Sequence, residues 1–236
     1  MSDSAVVRKV LTVAFGGAAV AAGAYFIYKS WKSTEHSSKD PDRDEEDVES
    51  ESDDHEDVVP SEHRIVILGL DGAGKSSLMA ALAGQKLSSS IPVTEGFNVI
   101  NMNMEEATWN LWEVGGGQAY RQHWPRFLGN TSLLVYVVDS IDSKRFDESA
   151  NTLWSLLGDE QLTNVPLLIV FNKQDIDGAK RPEELTEQFR LAEILKTRTV
   201  QLASSQVPPA DDETGVSEFQ GIVQIKQLII SLCESE

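Results

Sequence analysis

The sequence predicts an α/β fold: a mostly parallel, six-stranded sheet with helices on both faces, built from residues 62–236. Three observations carry that expectation. Strand-like and helix-like segments alternate along this stretch, the pattern left by crossover connections in a parallel sheet. Several of the strand-like segments are unbroken apolar runs, as strands buried on both faces require. One of them, Arg64–Leu68, runs into Gly69-Leu70-Asp71-Gly72-Ala73-Gly74-Lys75-Ser76 and then into helix-forming residues. The spelling G-x-x-x-x-G-K-S in that setting cradles phosphate groups.

Residues before 62 stand outside this fold. Val10–Tyr28 is a 19-residue stretch without a formal charge. As a helix it would be roughly 28 Å long, close to the ~30 Å hydrocarbon core of a bilayer. Arg8 and Lys9 precede it and Lys29 and Lys32 follow, while Tyr25, Tyr28 and Trp31 gather at one end as an interfacial belt would. Residues 1–32 are therefore expected to be a membrane anchor, with a transmembrane helix over about 10–28. A cleaved secretory signal, with Ala22-Gly23-Ala24 as its small-residue site, and a core helix of the folded domain are the alternatives. Residues 33–61 hold 13 Asp or Glu against two Lys or Arg. They have too few large apolar groups to offset ordering entropy, so an extended, disordered acidic linker is expected. Ser50 and Ser52, set among these acids, give it a second reading as a regulated segment.

Within 62–236 the first strand is Arg64–Leu68. In the glycine loop after it, backbone N–H groups are aimed at phosphate, and the next helix adds the partial positive charge of its N-terminus. Asp71, Gly72, Ala73, Gly74, Lys75, Ser76 and Ser77 are the candidate phosphate-binding residues. Lys75 is expected to reach the β- and γ-phosphates as a catalytic cation, and the Ser76 hydroxyl to ligate Mg²⁺. Ser77–Ala83 is rich in helix formers and Gly84 stops it. Phe97–Met104 and Thr108–Val114, joined by Glu105-Glu106, read as a hairpin that adds an antiparallel edge strand. Ser132–Val138 is a buried strand ending at Asp139. Phe146–Leu157 carries apolar residues at helical spacing. Val165–Phe171 is the next buried strand, and Pro182–Leu195 a helix with proline in its first turn. Thr199–Ala203 is the last strand. Ser204–Gly215, with Pro208-Pro209, is a surface loop. Val216–Cys233 closes the chain as a helix whose inward face is Phe219, Ile222, Val223, Ile229 and Leu232.

Composition narrows the function. The net charge is −18, which argues against nucleic acid as a partner, since that binding rests on Lys and Arg at phosphates. The single cysteine, Cys233, rules out an internal disulfide framework and reads as a buried helix residue.

Asn172-Lys173-Gln174-Asp175 follows the fifth strand. This N-K-x-D sequence resembles the guanine-recognition sequence of small GTPases, whose physical logic is hydrogen-bond direction. Guanine shows an N1–H and an exocyclic amino group on one edge, and the Asp175 carboxylate accepts both in a bidentate pair. Adenine offers no such pair. Lys173 would lie along the base and Asn172 would tie this loop to the phosphate loop. Ala203-Ser204 is the companion sequence, where a backbone N–H would meet the guanine carbonyl.

With these motifs in this order, the domain resembles the ADP-ribosylation-factor-like branch of the Ras-type small GTPases over nearly all of residues 63–236. The loop at 69–76 matches that branch, with Asp71 at its usual place. Thr94-Glu95-Gly96-Phe97-Asn98 resembles the first switch, and Trp112-Glu113-Val114-Gly115-Gly116 the start of the second. The resemblance implies a Ras-like P-loop GTPase fold that binds GTP and GDP with Mg²⁺. It implies that Thr94 joins Ser76 on the metal and that the Gly116 N–H meets the γ-phosphate. It implies an aromatic cluster of Phe97, Trp112 and Phe127 that contacts effectors; ordinary core packing is the other reading of those three.

The departures are equally informative. The family has Asp where this chain has Glu113, one methylene longer. The family's water-orienting glutamine directly follows the two glycines; here Gly117 stands there, with Gln118 one place later. The chain starts Met1-Ser2, which excludes the family's N-terminal myristoylation. A hydrophobic N-terminus, an acidic linker and an altered second switch resemble a divergent Arf-like subgroup. The implied protein is a monomeric switch, single-pass in the endoplasmic reticulum or mitochondrial outer membrane. Its domain faces the cytosol, where GTP and Mg²⁺ are. An effector, an exchange factor and an activating protein are implied partners. Slow hydrolysis, with Gln118 the nearest substitute for the missing glutamine, competes with a scaffold that holds GTP without turning it over. A P-loop kinase or ATPase is disfavoured by Asp175.

Overall fold

A computed structural model describes residues 61–85, 91–104, 107–206 and 220–234. Its strands are β1 (Ser61–Leu68), β2 (Phe97–Met104), β3 (Ala107–Val114), β4 (Leu133–Asp139), β5 (Leu167–Asn172) and β6 (Val200–Ser204). Its helices are α1 (Lys75–Leu82), α2 (Gln118–Arg121), α3 (Phe146–Leu156), α4 (Pro182–Gln188), α5 (Leu191–Ile194) and α6 (Gln220–Cys233). The six strands form one sheet in the order β2-β3-β1-β4-β5-β6. β2 and β3 pair antiparallel, with Phe97 opposite Val114 and Met104 opposite Ala107; every other pairing is parallel. The expected sheet, with its antiparallel edge hairpin, is therefore present.

Successive side chains of a strand point to opposite faces, and that alternation divides the core in two. Val66, Leu68, Leu134, Tyr136, Val138, Ile169 and Phe171 pack on one face beneath α3, α4 and α5. Ile65, Ile67, Leu133, Val135, Val137, Leu168 and Val170 pack on the other beneath α1 and α6. Every residue of β5 is buried, and every residue of β4 but Asp139. Each such aliphatic side chain contributes about 1.5–3 kcal/mol of burial. The sheet is thus a rigid floor whose strand ends hold the loops that follow.

Three sequence expectations need correction. The helix expected over Pro182–Leu195 is two helices. Arg190 stands between them at φ 52, in the left-handed region. The break frees the Phe189 carbonyl, which accepts instead from Trp154 Nε1 at 3.0 Å. It also turns Phe189, Leu191 and Ile194 into the core together. Val223, expected to face inward on α6, is 39 % exposed; Ile222, Ile225, Ile229, Leu232 and Cys233 form the buried stripe. Val223 is one residue, about 100°, round from Ile222. β5 begins at Leu167 rather than Val165, because Pro166 has no N–H to give the ladder.

β1 begins at Ser61, where Ser61–Arg64 pair with Ala107–Asn110 of β3. The expected anchor at 10–28, the linker up to Pro60, Phe219 and most of the 204–215 loop lie outside the described residues. Among the described residues no helix is long and apolar enough to cross a membrane.

Candidate functional site

The sequence-predicted residues gather where β1, β3, β4 and β5 end, the edge at which open parallel sheets bind ligands. β1 feeds the glycine loop and α1 starts at Lys75. Gly74 caps α1 at φ 88, a left-handed conformation, and a Cβ there would collide with the Asn172 side-chain amide. Only glycine fits that position. Lys75 is buried and its Nζ donates to the Leu70 carbonyl at 2.9 Å. Burial pushes its pKa below the ordinary lysine value, while the charges of Glu113 and Asp71 pull it back up. The ammonium is thus held across its own loop.

Ser76 and Thr94, the two expected metal ligands, meet. Their hydroxyl oxygens are 3.0 Å apart. Both hydroxyls donate to Glu113 Oε1, Ser76 at 2.6 Å and Thr94 at 3.0 Å. Asn98 Nδ2 donates to the second carboxylate oxygen at 2.8 Å. Glu113 is 1 % exposed. Hard oxygen donors of this kind, converging beside a phosphate loop, suit Mg²⁺.

The glycines of the second switch close on both neighbours. Gly115 donates its N–H to the Gly96 carbonyl at 2.8 Å, and its own carbonyl accepts from Trp124 Nε1 at 3.0 Å. A Cβ on Gly116 would collide with the Gly69 carbonyl and the Asp71 amide, so this segment rests on the phosphate loop itself. Gly117 caps α2 in an extended conformation, φ −62 and ψ 150, and a Cβ there would meet only the Tyr120 ring, at 3.5 Å. Gln118 is exposed at the start of α2.

The base-recognition loop is fixed from below. Asn172 Nδ2 donates to the Ala73 carbonyl at 2.8 Å, and Lys173 Nζ pairs with Asp139 at 2.6 Å. Lys173 adopts φ 65, which turns the chain sharply after β5. Asp175 is exposed beyond it. Asn172 Oδ1 and Ser205 Oγ are buried atoms with no hydrogen-bond partner among the described residues. A buried polar group left unpaired is costly, which suits a site completed by a ligand with polar edges. Ala203 is buried in β6, Ser204 is exposed beside it, and Ser77 is half-buried in α1.

Sequence reasoning missed five residues here. Ser205, one place beyond Ser204, is the residue that bridges to the base loop: its N–H donates to Phe171 and its carbonyl accepts from Gln174. Arg145 pairs with Asp71 at 3.0 Å and with Asp142, and donates to the Asp71 carbonyl at 3.1 Å, so the acid of the phosphate loop has its own counter-charge. Asp139, Asn98 and Glu113 complete the set. Glu113 carried a sequence signal as a departure from the family's aspartate, and Asn98 lay inside the first-switch motif.

Phe97, Trp112 and Phe127 do cluster, with ring centroids 5.3–6.5 Å apart. Arg64 lies over the Trp112 ring at 4.0 Å, and Phe97 is 43 % exposed.

Residues 55–219 match the model of the ADP-ribosylation factor family. Among curated proteins, ADP-ribosylation factor-like protein 3 of Chlamydomonas reinhardtii is 38 % identical over 157 residues, covering 66 % of this chain and 86 % of that protein. ADP-ribosylation factor-like protein 3 of Caenorhabditis elegans is 40 % identical over 139 residues, covering 58 % and 74 %. ADP-ribosylation factor-like protein 2 of Arabidopsis thaliana is 39 % identical over 137 residues, with the same coverage. Among solved structures, the Arl6 BBS3 small GTPase from Trypanosoma brucei with bound GppNp superposes with a TM-score of 0.63 at 22 % identity. That match covers 75 % of this chain and all of the other, and it speaks to the fold.

Proposed function

The chain belongs to the ADP-ribosylation factor family, and from that premise we propose that it is a magnesium-dependent guanine-nucleotide switch, tethered to a membrane, that hydrolyses GTP slowly. The observation that carries this reading is the Asn172–Ala73 hydrogen bond, which joins the base-recognition loop to the phosphate loop. One nucleotide spans both. The loop amides and Lys75 hold the phosphates, and Asp175 accepts the two N–H donors of guanine. Ser76 and Thr94 would hold Mg²⁺, which would supply charge neutralisation for the phosphates. Thr94 and Gly116 then sense the γ-phosphate, and its loss releases them.

Slow hydrolysis follows from Gly117. Attack on the γ-phosphate depends on a positioned water, and a glycine has no side chain to orient one. A second reading, a GTP-holding scaffold without turnover, draws on the same residue and on the exposure of Gln118. Single-turnover hydrolysis separates the two.

On this reading residues 1–32 anchor the chain in the endoplasmic reticulum or the mitochondrial outer membrane. The cytosolic supply of GTP and Mg²⁺ argues for a domain on the cytosolic side, where an effector, an exchange factor and an activating protein would meet it. Displacement of a fluorescent GDP from the full chain by GTP, GDP and ATP tests the nucleotide reading. Guanine nucleotides should compete and ATP should not; equal competition by ATP would overturn it. Asp175→Asn should shift preference toward xanthine nucleotides, since an amide can donate where xanthine accepts.

A further inference from the structure

Ser76 Oγ, Thr94 Oγ1 and Glu113 Oε1 form a triangle with sides of 2.6, 3.0 and 3.0 Å. Mg²⁺ holds oxygen ligands at about 2.0–2.1 Å in a near-ideal octahedron, so neighbouring ligands lie about 2.9 Å apart. The triangle has the dimensions of one face of that octahedron. Its three atoms come from the start of α1, the segment before β2 and the end of β3, and the two hydrogen bonds to Oε1 hold them at that spacing. We propose that Glu113 is a direct, inner-sphere ligand of the bound Mg²⁺, completing a three-oxygen face with Ser76 and Thr94. The inference rests on the magnesium-nucleotide reading above.

Backbone pairing explains why side-chain length decides this. Glu113 lies opposite Ile67 of β1 and opposite Asn98 of β2. Held from both sides, its Cα cannot advance toward the phosphate loop. A carboxylate one methylene shorter would stop roughly 1.5 Å back, about one carbon–carbon bond, leaving room for a water between acid and metal. The longer side chain closes that gap. Asn98 occupies Oε2, so Oε1 alone faces the two hydroxyls and ligation is monodentate.

Charge points the same way. A buried carboxylate needs a counter-charge as well as hydrogen bonds. The hydrogen-bond partners of Glu113 are two neutral hydroxyls and a neutral amide, and the nearby Lys75 ammonium is shared with Asp71 and donates to the Leu70 carbonyl. A dication on the open side of Oε1 would complete the compensation, and both hydroxyls would turn their lone pairs to it.

The test uses the full chain loaded with a non-hydrolysable GTP analogue, which keeps Thr94 engaged, and with Mn²⁺ in place of Mg²⁺. In the wild type, glutamate labelled with a magnetic carbon isotope in the carboxyl should show the strong hyperfine coupling of a directly bound carboxylate in pulsed electron paramagnetic resonance. A coupling of water-mediated size overturns the proposal. In water labelled with a magnetic oxygen isotope, Glu113→Asp should carry one more water on the metal than wild type; equal counts also overturn it. Glu113→Gln keeps the shape and removes the charge. It should raise the free Mg²⁺ needed to retain the GTP analogue by more than about 100-fold, beyond the ~10- to 100-fold typical of losing an outer-shell partner; a smaller shift counts against direct ligation. A chain that binds no guanine nucleotide defeats both this and the nucleotide reading. One that binds it with unchanged metal coordination defeats this inference alone.

Discussion

Asn172 Nδ2 donates to the Ala73 carbonyl at 2.8 Å, joining residues 99 positions apart. The bond makes the phosphate loop and the base loop one unit. Asn172→Ala should leave the Ala73 carbonyl without its donor, at a cost of about 1–3 kcal/mol. Gly74→Ala should act on the same bond, because its Cβ would collide with the Asn172 amide. Thermal denaturation and GDP titration should show both variants less stable and weaker in binding. A variant that loses stability but binds GDP normally would separate the bond from the site.

Lys75 should be a residue that binds at the expense of stability. Burial lowers its pKa from 10.5, with Glu113 and Asp71 opposing the shift. Below its folded pKa the charged lysine costs the folded state a constant amount. As pH rises through the window up to 10.5, the unfolded chain holds more protons than the folded one, so the cost fades and stability rises. Lys75→Met keeps the stem and removes the charge. The variant should match or exceed wild-type stability at neutral pH without nucleotide, and lose that advantage as pH approaches 10.5. Its GDP affinity should fall by roughly 10- to 100-fold. Denaturant titrations at two pH values check the sign.

Gly117→Gln should raise single-turnover hydrolysis of Mg²⁺-GTP. The position has room for a side chain, with only the Tyr120 ring near its Cβ. A gain of roughly 10–100-fold is expected, the scale on which positioning acts. Gln118→Ala should change little. If Gln118→Ala abolishes a measurable intrinsic rate, the glycine run bends and Gln118 is the catalytic residue.

Deleting residues 1–32 should move the protein to the soluble fraction, while the full chain should resist carbonate extraction. A full chain that carbonate washes off would sink the spanning reading and leave a peripheral helix or a cleaved segment.

Much of the fold was legible along the chain. The unbroken runs at 133–138 and 167–171 announced strands buried on both faces, because neighbours in sequence must all be apolar when no face meets water. The Gly69–Ser76 spelling announced its loop, since positive φ at Gly72 and Gly74 restricts the residues allowed. The break at Arg190 was not legible. Nothing local demands it; the Trp154 indole and the buried Phe189 do, and they meet only when α3 and α4 pack.

The sequence by itself determined the family, the strand and helix order, and the candidate residues for phosphate and guanine, because those signals lie within a few neighbouring positions. Tertiary structure alone decided that Glu113 meets Ser76 and Thr94, that Arg145 answers Asp71, and that Ser205 bridges to the loop after β5. Those contacts depend on the register of β3 between β1 and β2 and on where separate loops end. Register is set by pairing between distant segments, and no spacing along the chain records which side-chain atoms it brings within 3 Å of one another.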